Sequence, residues 1–171
     1  LAIGTNAAGQ YLIFDIVHRS TAGANALTSL TVDGVAASHI GTVTTSAAAI
    51  FIARWQVLRS LLPDPTQTDA DVVVTPNAAC LRCLIESYLA TGIDITPTDS
   101  ASNNASTPDL TQELDVDVLA GGIIIGCGAI ILAIAGVTIT WPTGLTAETH
   151  VDAVGEGTSL LAGLLSNAAA S

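Results

Sequence analysis

The first part of the chain orders its apolar and polar residues in a way that predicts β-strands. Residues 11–19 (YLIFDIVHR) are rich in β-branched and aromatic side chains, which is typical of a strand. One face of that strand would carry Leu12, Phe14, Ile16 and His18, and the other Tyr11, Ile13, Asp15 and Val17. Both faces are largely apolar, so we expect a strand that is covered on both sides.

A β-hairpin is predicted next along the chain. Residues 27–32 alternate loosely and stop at Asp33-Gly34, a dipeptide typical of a two-residue hairpin turn. Residues 35–44 would form the return strand. Residues 71–75 (DVVVT) predict one further short strand before the middle of the chain.

The segment 46–62 (SAAAIFIARWQVLRSLL) has features of a helix and of a strand. Ser46 is placed to cap a helix that would end before Pro63, and we favour this interpretation. The alternative is a strand, in which the residues of one face would be Phe51, Ala53, Trp55 and Val57. The segment therefore has two possible structures that the sequence alone separates poorly.

Two further helices are predicted. Residues 77–91 form the clearest one, because Thr75-Pro76 is a typical helix start and Gly92 a typical end. Residues 158–169 (TSLLAGLLSNAA) predict a short C-terminal helix, with its leucines on one side.

The long apolar run at residues 118–141 has two interpretations. Residues 118–141 contain no charged residue, and about 20 apolar residues suffice to span a membrane as a helix. However, no Lys or Arg stands near either end, and repeated glycines weaken a helix interior. The end of the run (VTITW) alternates like a strand. We therefore favour buried strands over a membrane helix.

These patterns together predict an α+β, β-rich fold with a mostly antiparallel sheet or sandwich and two or three helices. One β-rich domain would span residues 1–157, and residues 158–171 would form a C-terminal helical tail. A chain of 171 residues, half of them hydrophobic, is long enough to bury a sizeable core.

Charge limits the partners of this protein. There is no Lys, and four Arg stand against fifteen Asp and Glu, giving a formal net charge of -11. Nucleic acids and anionic membranes are bound through clustered cations, so we expect no direct binding of nucleic acid and rank membrane contact below self-association. Charged residues are 11% of the chain, against about 25% in typical domains, which leaves few repulsions between copies.

Cys80 and Cys83 form a C-x-x-C motif, whose spacing loosely resembles that of thioredoxin-like redox sites. The reactive Cys in such sites lies at a helix start, where the helix dipole lowers its pKa. In the predicted helix Cys80 would lie more than one turn inside. A thiol oxidoreductase is therefore a minor alternative, and two packed thiols are the expectation. Zinc would need two further ligands, and Cys127 is isolated in the sequence.

Other chemical signatures are absent from the sequence. There is no G-x-S-x-G elbow, phosphate loop, H-E-x-x-H or dinucleotide fingerprint. We therefore expect no enzyme activity, no cofactor and no metal. One N-glycosylation sequon begins at Asn104 in a polar, proline-bounded segment, and it matters only if the protein is secreted.

The sequence thus predicts a non-enzymatic structural subunit that self-assembles into a virion component (capsid or tail) or an extracellular filament. Apolar strands in excess of one small core would be completed by copies of the same chain. Large aromatics dominate interface energies, so the residues expected at the interface are Trp55, Trp141, Ile139 and Val137. The chain begins at Leu1 and lacks Met, which predicts a mature product located outside the cell or in a virion. A surface protein anchored in a membrane by residues 118–141 is the main alternative.

Overall fold

The structure is a computed structural model, and the residues it describes are 9–20, 27–44, 50–93, 96 and 125–127. The chain divides into two compact units, which are Leu1–Asp94 with Asn104–Pro108, and Ile95–Asn103 with Asp109–Ser171. All the strands of the described residues belong to the first unit. The predicted domain boundary at residue 157 lies outside the described residues.

Seven strands form two antiparallel sheets. They are β1 (Gln10–Ser20), β2 (Leu27–Val32), β3 (Val35–Ala36), β4 (Ser38–Thr44), β5 (Ile50–Leu58), β6 (Val72–Pro76) and β7 (Cys80–Thr91). One sheet has four strands in the order β4-β5-β1-β7, and the other has three in the order β3-β2-β6. The two sheets share one apolar core, so this unit is a β-sandwich.

Strand β1 is the central element of the larger sheet. It pairs with β5 on one side and β7 on the other, both antiparallel. Its side chains are buried from Leu12 through His18, on both faces of the strand. This confirms the prediction of a strand covered on both sides, and it explains why seven consecutive positions hold only one charged residue.

The predicted hairpin is also confirmed. Asp33 and Gly34 connect β2 to β3 with backbone φ angles of 48° and 81°, the left-handed conformation that a type I′ turn requires at both central residues. The return strand then changes sheets, since β3 pairs with β2 while β4 pairs with β5. Ala37 lies at the change, and its amide donates a hydrogen bond to the carbonyl oxygen of Leu30 at 2.9 Å.

The core lies between the two sheets. The larger sheet supplies alternate residues of β1 and β5, and the smaller sheet supplies residues of β2. The buried side chains are Leu12, Phe14, Ile16, Leu30, Val32, Ala53, Trp55, Val57, Leu62 and Ala70. Most of these are aliphatic or small, so the core is built from many modest contacts, as the low aromatic content predicts.

The α+β assignment is wrong, because the described residues form two antiparallel sheets without an α-helix. In the described part of the chain the only helical element is a 3₁₀ turn, Arg59–Leu61. The segment predicted as the first helix contains β5, with Phe51, Ala53 and Trp55 on the inner face. The strand alternative for this segment was the correct one, because every second residue packs into the core.

The segment predicted as the clearest helix is instead β7, a strand of 12 residues. Thr75-Pro76 ends β6, where a proline is tolerated at the end of an edge strand, and it does not start a helix. β7 pairs with β1 along its length, from Gln10↔Thr91 to Ser20↔Cys80. Helix propensities differ by under about 1 kcal/mol per residue, so pairing with a buried central strand outweighs them.

The remaining sequence-based predictions lie outside the described residues. They concern the C-terminal helix 158–169 and the run 118–141, of which only residues 125–127 are described. Among the described residues, no helix has the length and apolar character needed to span a membrane.

Candidate functional site

A row of charged side chains crosses the four-stranded sheet on the face opposite the core. Asp15 of β1 lies opposite Arg54 of β5 and opposite Glu86 of β7. Arg54 donates two hydrogen bonds to Asp15, from Nε to Oδ1 at 2.7 Å and from Nη2 to Oδ2 at 2.6 Å. Such a bidentate pair between charged groups is stronger than a hydrogen bond between neutral groups. Asp15 is 1% exposed and the Arg54 side chain 27%, so the ion pair is largely removed from water.

Glu86 completes the row from β7. Its Oε2 accepts a hydrogen bond of 2.6 Å from the Tyr88 hydroxyl, whereas its buried Oε1 has no hydrogen-bond partner in the part of the chain that the structure describes. Both carboxylates of the row are buried, and a shift of one residue in either strand pair would separate the charges. The row is therefore better suited to hold β1 in register than to act on a substrate.

His18 lies at the end of the inner face of β1 and is completely buried. Its ring stacks on Phe51, with ring centroids 4.8 Å apart and planes 15° apart. Neither ring nitrogen has a hydrogen-bond partner among the described residues. Burial lowers the pKa of His18 below its ordinary value, because the charged imidazolium would lose its hydration. His18 is therefore neutral near pH 7.

Cys80 and Cys83 lie on strand β7 and are both exposed, and neither is in a disulfide. Although the residue as a whole is exposed, partial desolvation of its thiol and, to a smaller extent, the nearby Cys80 raise the pKa of Cys83 to about 11. A redox-active C-x-x-C needs a thiol whose pKa is lowered at a helix start. The structure supplies a strand and a raised pKa, which is the opposite of that requirement.

Arg59 anchors the connection between β5 and β6. It is fully buried, and it donates hydrogen bonds to the carbonyl oxygens of Pro65, at 3.2 Å, and of Gln67. The Gln67 side chain in turn donates to Asp33 of the hairpin turn, and Asp33 also accepts a hydrogen bond of 2.8 Å from the amide of Asp71. The connection is thus tied to the hairpin turn.

Two large apolar side chains are exposed on edge strands. Val73 on β6 is 57% exposed and Leu89 on β7 is 41% exposed. Among the described strands, β6 pairs only with β2, and its sequence Val72–Pro76 contains no charged residue. Uncharged edge strands are sites at which chains associate, and most monomeric proteins protect them with charges.

The predicted interface residues fall into two groups. Trp55 lies in the core and is 7% exposed, and its ring contacts that of His39 at a centroid distance of 4.8 Å. No described residue forms a hydrogen bond with its Nε1. A role for Trp55 in assembly stays a prediction. The other predicted residues, Trp141, Ile139, Val137 and the sequon residue Asn104, lie outside the described residues.

The sequence patterns did not predict the pairing of Asp15 with Arg54. Each is a single charge within an apolar segment, YLIFDIV and FIARWQV. A charge on a buried strand requires a partner of opposite sign, so the two segments could have been paired on that signal alone. No comparable signal marks Arg59, whose partners are backbone carbonyl groups of a connecting loop.

No group of three or more His, Cys, Asp or Glu side chains suited to hold a metal ion occurs among the described residues. No family model, curated protein or solved structure matches this chain significantly. A functional conclusion therefore has to come from the residues and their arrangement.

Proposed function

We propose that this chain is a non-catalytic structural subunit that assembles with copies of itself. It would serve in a virion component, such as a capsid or tail, or in an extracellular filament. The observation that carries the proposal is the uncharged edge strand β6 with its exposed Val73.

The β6 edge supports strand addition by a second copy. β6 lies at the edge of the three-stranded sheet, and its side chains alternate between half-buried and exposed positions. Val72 and Val74 pack against the core, while Val73 points away from it. The chain contains no Lys, the residue that most often protects such edges. A second copy that pairs with β6 would satisfy its backbone groups and cover Val73.

The positions of the arginines favour a binding partner that is not strongly anionic. Of the four cations, Arg54 binds Asp15 and Arg59 binds backbone carbonyl groups inside the fold. Two of four positive charges are thereby used internally in a chain of net charge -11. Nucleic acid binding requires several cations arranged toward phosphates. We therefore propose a partner surface that is apolar and uncharged, as a second copy of β6 is.

The test compares the assembly of the full-length chain with that of two lysine variants. In Val73→Lys the new charge stands on the β6 edge, where pairing with a copy would have to desolvate it. Thr68→Lys is the matched control, because Thr68 is exposed in the loop before β6. We expect Val73→Lys to weaken assembly at least about tenfold, or 1.4 kcal/mol, in sedimentation velocity. Thr68→Lys should assemble like the unmodified chain.

Two results would count against the proposal. A chain that stays monomeric at every concentration up to about millimolar would exclude self-assembly, since the weakest useful affinities lie in that range. Assembly that is equally strong in both lysine variants would exclude the β6 edge as the surface that carries it.

A further inference from the structure

The spacing of the two cysteines is altered by an irregularity in β7. In a regular strand, residues three apart point to opposite faces of the sheet. Here Cys83 lies opposite His18 of β1 and Cys80 lies opposite Ser20, only two residues further along β1. The register shifts between Arg19 and Ser20, so β7 accommodates one extra residue at that point. Cys80 and Cys83 therefore occupy the same face, as residues two apart normally do.

The separation of Cys80 and Cys83 along the strand follows from this register. Two residues along a strand correspond to about 6.6 Å, because each residue advances the chain by about 3.3 Å. Cys80 also contributes to the raised pKa of Cys83, which places its sulfur within electrostatic reach of the Cys83 sulfur. Both residues are exposed, so an ion can reach the pair from solvent, although the Cys83 thiol itself is partly desolvated.

This spacing disfavours a disulfide and favours a bridging ion. A disulfide needs Cβ atoms about 3.8 Å apart, much closer than two side chains that stand in parallel about 6.6 Å apart along one strand. A metal ion bound by two thiolates at about 2.3 Å each allows the sulfurs to lie up to about 4.6 Å apart. Rotation of the two side chains toward each other can approach that separation without moving the backbone.

The ligand set determines the kind of ion. Zinc takes four protein ligands in structural sites and three in catalytic ones, and no group of three suitable side chains occurs among the described residues. Soft monovalent ions such as Cu(I) prefer thiolate sulfur. We propose that Cys80 and Cys83 together bind one soft, thiophilic ion of the Cu(I) class through their two sulfur atoms. Each thiol releases its proton to solvent as its sulfur binds, and the oxidation state of the ion does not change.

The test is a competition titration of the reduced full-length chain with Cu(I) under anaerobic conditions, against a chromophoric Cu(I) chelator. We expect one equivalent of Cu(I) to be withdrawn from the chelator. Cys80→Ser and Cys83→Ser should each weaken this binding at least about 100-fold, because a hydroxyl is a poor ligand for a soft ion. Cys127→Ser is the matched control and should bind like the unmodified chain.

Three outcomes would overturn the site: no withdrawal of Cu(I), binding that survives Cys80→Ser or Cys83→Ser, or binding that is lost in Cys127→Ser. A second measurement tests the site without substitutions, in case a serine variant fails to fold. The folded chain is alkylated at its exposed thiols, and the modified positions are identified by mass spectrometry. Alkylation of Cys80 and Cys83 should abolish binding, and binding that persists afterwards would exclude the site. The site does not depend on self-assembly, so its failure would leave the proposed function untouched.

Discussion

Replacement of Arg54 should destabilise the first unit more than any other single charge removal on the larger sheet. Arg54→Met keeps a long unbranched side chain but removes both hydrogen bonds to Asp15. Asp15 is 1% exposed, so its carboxylate would be left buried beside Glu86 without a cation. Loss of one partner of a buried ion pair costs about 3–5 kcal/mol.

Replacement of the other partner, Asp15, should lower the free energy of unfolding by less. Asp15→Leu leaves Arg54 without its carboxylate, but 27% of the Arg54 side chain is exposed and its guanidinium can turn to water. A cost of about 1–3 kcal/mol is expected. The double variant places two apolar side chains side by side across β1 and β5, and such replacements of buried ion pairs are often nearly neutral. The two substitutions should therefore couple by at least about 2 kcal/mol.

The free energy of unfolding is measured by urea denaturation, with tryptophan fluorescence as the signal. A Trp141→Phe background leaves Trp55 as the only tryptophan, and it reports on the core of the first unit. The four chains of the double-mutant cycle are compared in this background. If Arg54→Met costs under about 1 kcal/mol, the ion pair behaves like one at the surface, and the buried row is refuted.

Two further predictions concern single titratable groups. The pKa of His18 is lowered in the folded chain, so the unfolded chain binds more protons as pH falls below about 6.5, and stability falls by at most about 1.4 kcal/mol per pH unit. His18→Leu should remove this part of the pH dependence between pH 7.5 and 5; equal acid sensitivity of both chains would contradict it. The raised pKa of Cys83, about 11, leaves about 0.1% thiolate at pH 8, so folded Cys83 should react with iodoacetamide about tenfold more slowly than a small thiol. The rate of alkylation at Cys83 is measured by peptide mass spectrometry, with the chain unfolded in urea as the control. Equal rates in the folded and unfolded chains would argue against the raised pKa.

The strands that the sequence predicts correctly are those with a strong local signal. Asp33-Gly34 identifies the hairpin because few residues adopt the left-handed backbone at both turn positions. The apolar residues on both faces of 11–19 indicate a buried central strand, and β1 is one. In both cases a local pattern and the tertiary structure favour the same conformation.

The helix predictions are wrong where the local conformational preference of a segment differs from the conformation that its tertiary contacts favour. β7 contains Leu, Ala, Arg and Glu, all good helix formers, and its apolar residues also fit a helical stripe. Its conformation is decided by β1, whose second edge needs a paired strand, and this need cannot be seen in the sequence of β7 alone. The cysteine arrangement is hidden for the same reason. The register irregularity that brings Cys80 and Cys83 to one face depends on pairing with β1.

The most direct test of self-assembly is sedimentation velocity of the purified full-length chain over a range of concentrations, under reducing conditions. The mass of a single chain is 17.2 kDa. The proposal predicts species of several chains that grow with concentration, and that dissociate in Val73→Lys but not in Thr68→Lys. A single species of one-chain mass at all concentrations would contradict it.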